Sequence, residues 1–334
     1  MSNKRINDRD YLFLSALIRA REARMPSREA LERMLDASDF AESARICAEY
    51  GYPDMSGMDI NGINDALAAH FAEALDDVEK AVPEKSITDA FRLKYDYHNA
   101  KVMIKAQAAN VDGERLLSRA GRVSSEKIMD AFNEDDYSEI PADMAEAMQQ
   151  ARGVMARSAN PQLCDVSLDK AYFAGLHRLA REESSGFLAG YAKLMTDSAN
   201  LRTFVRTARM GKGADFLGSV LIPGGSVETD ALIRARLAGE GPEGLFGGTA
   251  LAQSAAAGAE AMRSGTLTEF ERMCDNAVTD HLTGAKLKSF GPEPVIAYLA
   301  ALEQETASLR MILTGKLFGI SPDTIRERLR ETYA

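Results

Sequence analysis

Hydrophobic and polar residues alternate with a helical period along almost the whole chain. The N-terminal part predicts three helices: one from Asp8 to about Met25, one that opens after Ser27, and one from Ser38 to near Gly51. Alternating runs of β-branched residues, which are typical of strands, are nearly absent, whereas Ala, Leu, Glu, Arg and Met are abundant. The pattern therefore predicts an all-α protein.

A block of about ten residues recurs three times, as DYHNAKVMIK, DSANLRTFVR and ETASLRMILT. The blocks begin 101 and 108 residues apart, and each combines an acid, a small polar residue three positions later and a base five positions later. In order, these residues are Asp96, Asn99 and Lys101; Asp197, Asn200 and Arg202; and Glu305, Ser308 and Arg310. Self-similarity at a nearly constant period indicates a repeated supersecondary unit.

The sequence around the blocks also repeats. A helical pattern precedes each block, at 64–82, 168–182 and roughly 267–283, and a candidate helix-capping serine follows each one, namely Ser124, Ser226 and Ser321. We therefore expect N-terminal helices and a first turn over 1–62, and helical units over 63–150, 151–250 and 251–334.

The polar residues of a block suggest a structural role. On a helix, Asp96 and Asn99 share one side with apolar residues, so we expect them to be buried and to make hydrogen bonds between helices. Lys101 lies about 140° around the helix from Asp96, at ~100° per residue. We expect the base of each block to be solvated or to pair with a neighbouring carboxylate.

Composition narrows the class of partner. The formal net charge of −10 argues against nucleic acid and against electrostatic binding to an anionic membrane surface. No apolar run approaches the ~20 residues of a membrane span, and the N-terminus does not resemble a secretory signal. Three widely separated cysteines fit reduced thiols. We expect a cytosolic protein without a span of its own.

A search for catalytic chemistry finds no coherent site. The segment GEGPEG at 239–244 follows a helical pattern, whereas a dinucleotide-binding turn follows a strand, so we interpret it as a loop. The four histidines have no metal-ligand spacing, and the chain contains no phosphate-binding loop. We expect no catalytic residues, no cofactor and no metal.

The C-terminal stretch 291–334 resembles the end of the C subunit of A/V-type ATPases, the counterpart of the d subunit of vacuolar ATPases. Ser308 stands where that family has Asn, and the resemblance covers nearly the whole chain except 236–265. The matching residues are Pro294, Tyr298, Glu303, Glu305, Leu309, Arg310, Gly315, Lys316, Gly319, Ile325 and Tyr333. Arg19, Arg21 and Glu22 also match the family's first helix.

The resemblance implies a funnel of three helical units related by a pseudo-threefold axis, with no active site. It also implies a central-stalk component that couples the D/F shaft to the membrane ring of K (or c) subunits, on the cytoplasmic face of the membrane. One alternative is a free-standing helical scaffold that binds a protein, although solenoid repeats usually run to ~20–50 residues. An all-helical enzyme is a further alternative, and it would need a polar pocket that the sequence does not indicate.

Overall fold

The computed structural model describes residues 6–183, 185–263 and 265–334. These residues form sixteen α-helices and three short 3-10 helices, with no β-strand among them, which confirms the predicted all-α class. The α-helices, numbered α1 to α16 in chain order, are Leu12–Glu22, Arg28–Asp36, Phe40–Ala48, Ile60–Glu79, Lys85–Ala109, Ser125–Glu134, Ala142–Ser158, Pro161–Glu182, Phe187–Arg209, Ala214–Val220, Thr229–Ala238, Glu243–Phe246, Ala252–Arg263, Leu267–Thr283, Pro292–Leu317 and Pro322–Arg326. The 3-10 helices are Asp8–Tyr11, Glu114–Leu116 and Gly284–Leu287.

Three long helices carry the repeated blocks: α5, α9 and α15. We call them the block helices. The helical patterns expected upstream of the blocks form α4, α8 and α14, which we call the upstream helices. Each upstream helix is joined to the following block helix by a short connection, and side-chain contacts across the pair show that the two run antiparallel. Asp76 of α4 bonds to Arg92 of α5, His177 of α8 to Thr196 of α9, and Thr279 of α14 to Gln304 of α15.

Each block helix also packs against the upstream helix of the next unit. Lys101 and Lys105 of α5 pair with Asp169 and Asp165 of α8, so these helices are antiparallel. Arg202 and Arg206 of α9 pair in the same way with Asp275 and Glu271 of α14. Residues 298–305 of α15 lie beside 70–77 of α4, and Arg310 lies beside Asn64. The contacts among these six helices therefore close on themselves, and the three block helices point in the same direction.

The hydrophobic core has two parts. The larger part lies among the six helices and includes Phe204 and Phe270. The smaller part surrounds the C-terminal half of α15, where Leu309 and Ile312 meet Leu31 of α2 and Ile63 of α4. The N-terminal helices α2 and α3 thus complete the packing of the third block helix, although they lie more than two hundred residues away in sequence.

Within the described ranges, no helix combines the length and the apolar character that are needed to cross a membrane.

Candidate functional site

The first two blocks make the same set of hydrogen bonds to the loop backbone. Asp96 accepts from the backbone N–H groups of Arg122 and Val123 at 2.8 and 3.1 Å. Asn99 donates to the carbonyl oxygen of Ser118 at 2.8 Å and accepts from its N–H at 2.7 Å. Burial raises the pKa of Asp96, and the guanidinium of Arg122, which donates to the carboxylate at 2.6 Å, opposes this rise.

In the second block, Asp197 accepts from the N–H groups of Ser226 and Val227 at 2.9 and 3.1 Å. Asn200 exchanges two bonds with the backbone of Ile222, at 2.7 and 2.9 Å. The bonded loop residues are spaced identically in the two units. Each block therefore fixes the loop that follows its own helix.

These contacts correct the expectation of hydrogen bonds between helices. The partners of the acid and the amide are loop backbone groups, because a glycine before the two bonded N–H groups lets the loop approach the carboxylate closely. A Cβ atom at Gly121 or at Gly225 would lie closer to the block carboxylate than van der Waals contact allows. The acids thus secure the start of the next helix, as carboxylates commonly do with free N–H groups.

The prediction that a serine caps the helix after each block is confirmed in two of the three units. Ser124 and Ser321 accept hydrogen bonds at the starts of α6 and α16. The prediction for Ser226 was wrong, because the N-cap residue of α11 is Glu228, and Ser226 instead donates its N–H to Asp197. Glu228 directly follows the bonded Val227, as Ser124 directly follows Val123. The true cap of α11 therefore lies two residues after the serine that the sequence indicated.

The third block differs from the other two. Glu305 accepts from the hydroxyl group of Tyr52 at 2.6 Å and binds no loop N–H among the described residues. Ser308 is buried in α15, and its side chain makes no hydrogen bond to the part of the chain that the structure describes. A cavity of about 240 Å³ beside Glu305 is lined by Arg24, which follows α1, by His70 of α4, and by other residues that include parts of α4 and α15. Burial raises the pKa of Glu305 to about 8, while the Tyr52 hydrogen bond opposes the rise.

The bases of the blocks connect neighbouring units. Lys101 bonds to Asp169 at 2.5 Å and Arg202 to Asp275 at 2.6 Å, as expected for pairing with carboxylates. Arg310 bonds instead to the amide oxygen of Asn64, at 2.9 Å. In all three units the base therefore reaches the upstream helix of the next unit, and the third base returns to the first unit.

A cavity of about 250 Å³ lies where α5, α8, α9 and α15 meet. Tyr172, Tyr191 and Phe91 contribute aromatic surface, and the carboxylate of Glu303 accepts from both Lys94 and Tyr95 at 2.9 Å. These two bonds connect the first and third block helices at the edge of the cavity. Burial raises the pKa of Tyr191 well above its usual value, and the nearby charge of Glu303 adds to this effect.

The hydrogen-bond partners of the block acids and amides were not predicted from the sequence. Arg122 and its counterpart Ser226 lie in short G-x-V sequences that follow the acids by similar distances, and this recurrence could have indicated the loop contacts. Tyr52 and Asn64 carry no comparable signal.

The structure also places the remaining features that the sequence singled out. The segment 239–244 begins at the left-handed C-cap residue of α11, Gly239, and the loop predicted there extends only to residue 242, because Glu243 begins α12. Among the described residues, no group of three or more His, Cys, Asp and Glu side chains is arranged to hold a metal ion. The three cysteines are buried and unpaired. What this arrangement can do is hold helices and loops in fixed relative positions.

Comparison with known proteins agrees with this structural character. A family model described as ATP synthase (C/AC39) subunit matches residues 14–328. The chain is 24% identical over 335 residues to the C subunit of the V-type sodium ATPase of Enterococcus hirae, covering 97% of this chain and 99% of the relative. It is 22% identical over 344 residues to the C subunit of the A-type ATP synthase of Methanocaldococcus jannaschii, covering 96% and 86%.

A third relative is the C subunit of the V-type ATP synthase of Thermus thermophilus, which is 23% identical over 340 residues, covering 96% of this chain and 98% of the relative. The family match covers all six of these helices and the N-terminal helices α2 and α3 that pack on them. The chain belongs to the ATP synthase (C/AC39) subunit family.

Proposed function

We propose that this chain is a non-catalytic central-stalk subunit of an A/V-type rotary ATPase, and that it couples the D/F shaft to the K/c ring of the membrane rotor. The observation that carries the proposal is the family match over residues 14–328. Relatives that align with nearly the full chain are named as the C subunits of a V-type sodium ATPase and of an A-type ATP synthase.

The helix contacts support a role in transmitting torque. A coupling subunit must resist twisting, and a closed arrangement of helices resists it better than an open one because no helix pair can separate alone. The three block bases each connect one unit to the next. We propose that the units 63–150, 151–250 and 251–334 are related by a pseudo-threefold axis and form a funnel, with 1–62 packed on the third unit.

The proposed subunit lies on the cytoplasmic face of the membrane and binds its partners through two separate surfaces, one for the shaft and one for the ring. The formal charge of −10 favours basic or mixed partner surfaces. Charge complementarity of this kind speeds docking and sets the orientation of the partners more than it raises affinity.

The direct test is deletion of this chain from the assembled ATPase, followed by complementation. We expect membranes without it to lose ATP-driven ion transport, and solubilised ring to lose its attachment to the shaft. Wild-type protein should restore both. If ring and shaft stay together and ATP hydrolysis still drives ion transport in the deletion strain, the coupling role is wrong and a scaffold function replaces it.

Two arginine substitutions refine this test. Arg202→Ala removes the pairing of α9 with Asp275 of α14, between two units. Arg263→Ala removes an exposed pair with Glu260 inside the single helix α13 and serves as the matched control. In complementation we expect Arg202→Ala to lower the ratio of ions transported to ATP hydrolysed, whereas Arg263→Ala should leave the ratio unchanged. Equal ratios for the two variants would argue against torque transmission through these contacts.

A further inference from the structure

The cavity beside Glu305 lies where the third unit meets the first. Its walls come from the end of α1, the segment after α3, α4 and α15. Each of the other two contacts between units is held by two ion pairs from a block helix to the next upstream helix. Within the described ranges no ion pair joins α15 to α4, and Arg310 bonds there to the uncharged Asn64. The contact that closes the six-helix arrangement therefore lacks the electrostatic link of the other two.

Glu305 has fewer hydrogen-bond donors than a buried carboxylate needs. Tyr52 donates to its Oε1 atom at 2.6 Å, and Oε2 has no partner in the part of the chain that the structure describes. Asp96, the acid at the same block position in the first unit, accepts from two backbone N–H groups and from the guanidinium of Arg122. Donors and cations of this kind stabilise the ionised form. Burial raises the pKa of Glu305 to about 8, so at neutral pH the carboxyl group keeps its proton.

Arg24 is a cation on the same cavity that has no partner. It follows α1 and is exposed, and its guanidinium makes no hydrogen bond or ion pair with the described residues. Arg21, the other arginine of the cavity, is held by Asp77 at 2.8 Å. Since Arg24 and Glu305 line one cavity, a change of rotamer at Arg24 is the movement that brings them together, with both helices in place.

The cavity suits a guanidinium group. Its volume of about 240 Å³ is far above the ~10–15 Å³ that one water needs. Tyr50 and Tyr298 contribute aromatic surface, and Met25 and Leu302 contribute apolar surface. A guanidinium stacks on aromatic rings and binds a carboxylate through parallel N–H groups, while its aliphatic stem packs on apolar side chains.

The other ionisable groups around Glu305 come from each element of the cavity. The end of α1 contributes Arg21, and α15 contributes Tyr298. Cys47 and the segment after it contribute a thiol and the hydroxyl groups of Tyr50 and Tyr52, and α4 contributes His70, Glu73 and Asp77.

None of these groups replaces Arg24 as a cation for Glu305. Burial lowers the pKa of His70, so its ring is uncharged at the pH at which Glu305 loses its proton. Burial raises the pKa of Cys47 and Tyr52, which keeps both groups neutral there. Glu73 is exposed, so water screens its attraction for Arg24.

We propose that Arg24 and Glu305 form a pH-dependent latch, in which the guanidinium turns into the cavity and pairs with Oε2 once the carboxyl group loses its proton. The proton leaves to solvent, so the net charge of the two groups falls from +1 to zero. With the proton in place, Arg24 stays in solvent. The latch joins the end of α1 to α15, and the closing contact gains an ion pair only as pH rises.

The direct test is the pKa of Glu305 in the isolated full chain, measured by NMR of protein labelled with ¹³C-glutamate. The signal is assigned by its absence in Glu305→Gln. Arg24→Gln removes the cation and should raise the measured pKa by about 1, since a nearby opposite charge lowers a carboxyl pKa by about 1–3. Arg24→Lys keeps the charge and should keep most of the lowering. Arg33→Gln is the matched control, because Arg33 pairs with Glu49 outside this cavity, and it should leave the pKa unchanged.

Thermal unfolding gives a second measurement. Arg24→Gln should lower the Tm by about 2 °C at pH 9 and leave it unchanged at pH 6. The difference at pH 9 should vanish when Glu305→Gln is also present, and it should persist when Glu73→Gln is present.

Four results would overturn the latch. They are an unchanged pKa in Arg24→Gln, a Glu305 signal that does not titrate between pH 5 and 10, a Tm loss that survives Glu305→Gln, and a Tm loss that disappears with Glu73→Gln. Because the latch is measured in the isolated chain, its failure leaves the proposed coupling role untouched.

Discussion

Glu305 gives the protein a stability that depends on pH near neutrality. Its carboxyl group lies between α15 and the segment that precedes α4, and it accepts one hydrogen bond, from Tyr52 at 2.6 Å. The acids at the same block position, Asp96 and Asp197, each accept from two backbone N–H groups. Such bonds favour the ionised form of a carboxyl group. Glu305 lacks them, and burial raises its pKa from 4.5 to about 8.

The direction of the effect follows from proton binding. A carboxyl group with a higher pKa in the folded state holds its proton more tightly there, so stability falls as pH rises from the unfolded to the folded pKa. With an unfolded pKa of 4.5 and a folded pKa of about 8, this loss of stability is complete above pH 8. At ~1.4 kcal/mol per pH unit, the free energy of unfolding falls by at most about 5 kcal/mol. Glu305 is only partly buried beside a cavity. Water weakens the effect, and we expect about 2–3 kcal/mol in total.

Urea denaturation of wild-type protein and Glu305→Gln at pH 5.5 and 8.5 measures this contribution. The free energy of unfolding of wild type relative to the variant should fall by about 2 kcal/mol between these pH values. Burial lowers the pKa of His70 in the same cavity, which alters stability below neutrality. That contribution is common to both proteins and cancels in the difference.

Glu303→Gln is the matched control, since it makes the same chemical change two residues earlier. Glu303 is held by Lys94 and Tyr95, so its loss should cost a similar amount, within about 1 kcal/mol, at both pH values. If the difference between wild type and Glu305→Gln is the same at pH 5.5 and 8.5, then Glu305 is ionised throughout and the reasoning from burial is refuted.

Three further substitutions or reactions test the packing. Gly225→Ala should destabilise by about 1–3 kcal/mol in urea denaturation, because its Cβ would displace the carboxylate of Asp197, whereas Gly213→Ala, with open space around it, should change stability by less than about 1 kcal/mol. Asn200→Ala leaves the buried N–H and carbonyl groups of Ile222 without partners, so the free energy of unfolding should fall by about 2–3 kcal/mol in the same measurement. An unchanged stability would contradict these two hydrogen bonds. Burial raises the pKa of the Cys47 thiol to about 12, so an aromatic disulfide reagent at pH 8 should react with it only after unfolding, and rapid reaction of the native protein would show that this core opens.

The sequence determined the helices and the existence of the repeat. Apolar spacing and cap residues act within a few turns of chain, so the sequence could place a helix upstream of each block. The range predicted for α14 matches the structure, whereas α8 begins seven residues before its predicted start, and the ends of the block helices were not predicted. The side of the helix on which Lys101 lies was also predictable, because it depends only on the angle per residue. It pairs with Asp169 on a neighbouring helix, as the direction suggested.

The tertiary structure decided what the block residues bind. Asp96 and Asp197 meet backbone amides of loops, and the only local sign of these contacts is the recurring G-x-V sequence in the loop. Glu305 meets Tyr52, 253 residues away, because α2 and α3 fold back on the third block helix. The third block already differs locally, with Glu305 and Ser308 in place of Asp and Asn, but only the packing of distant helices decided which residue its acid would meet.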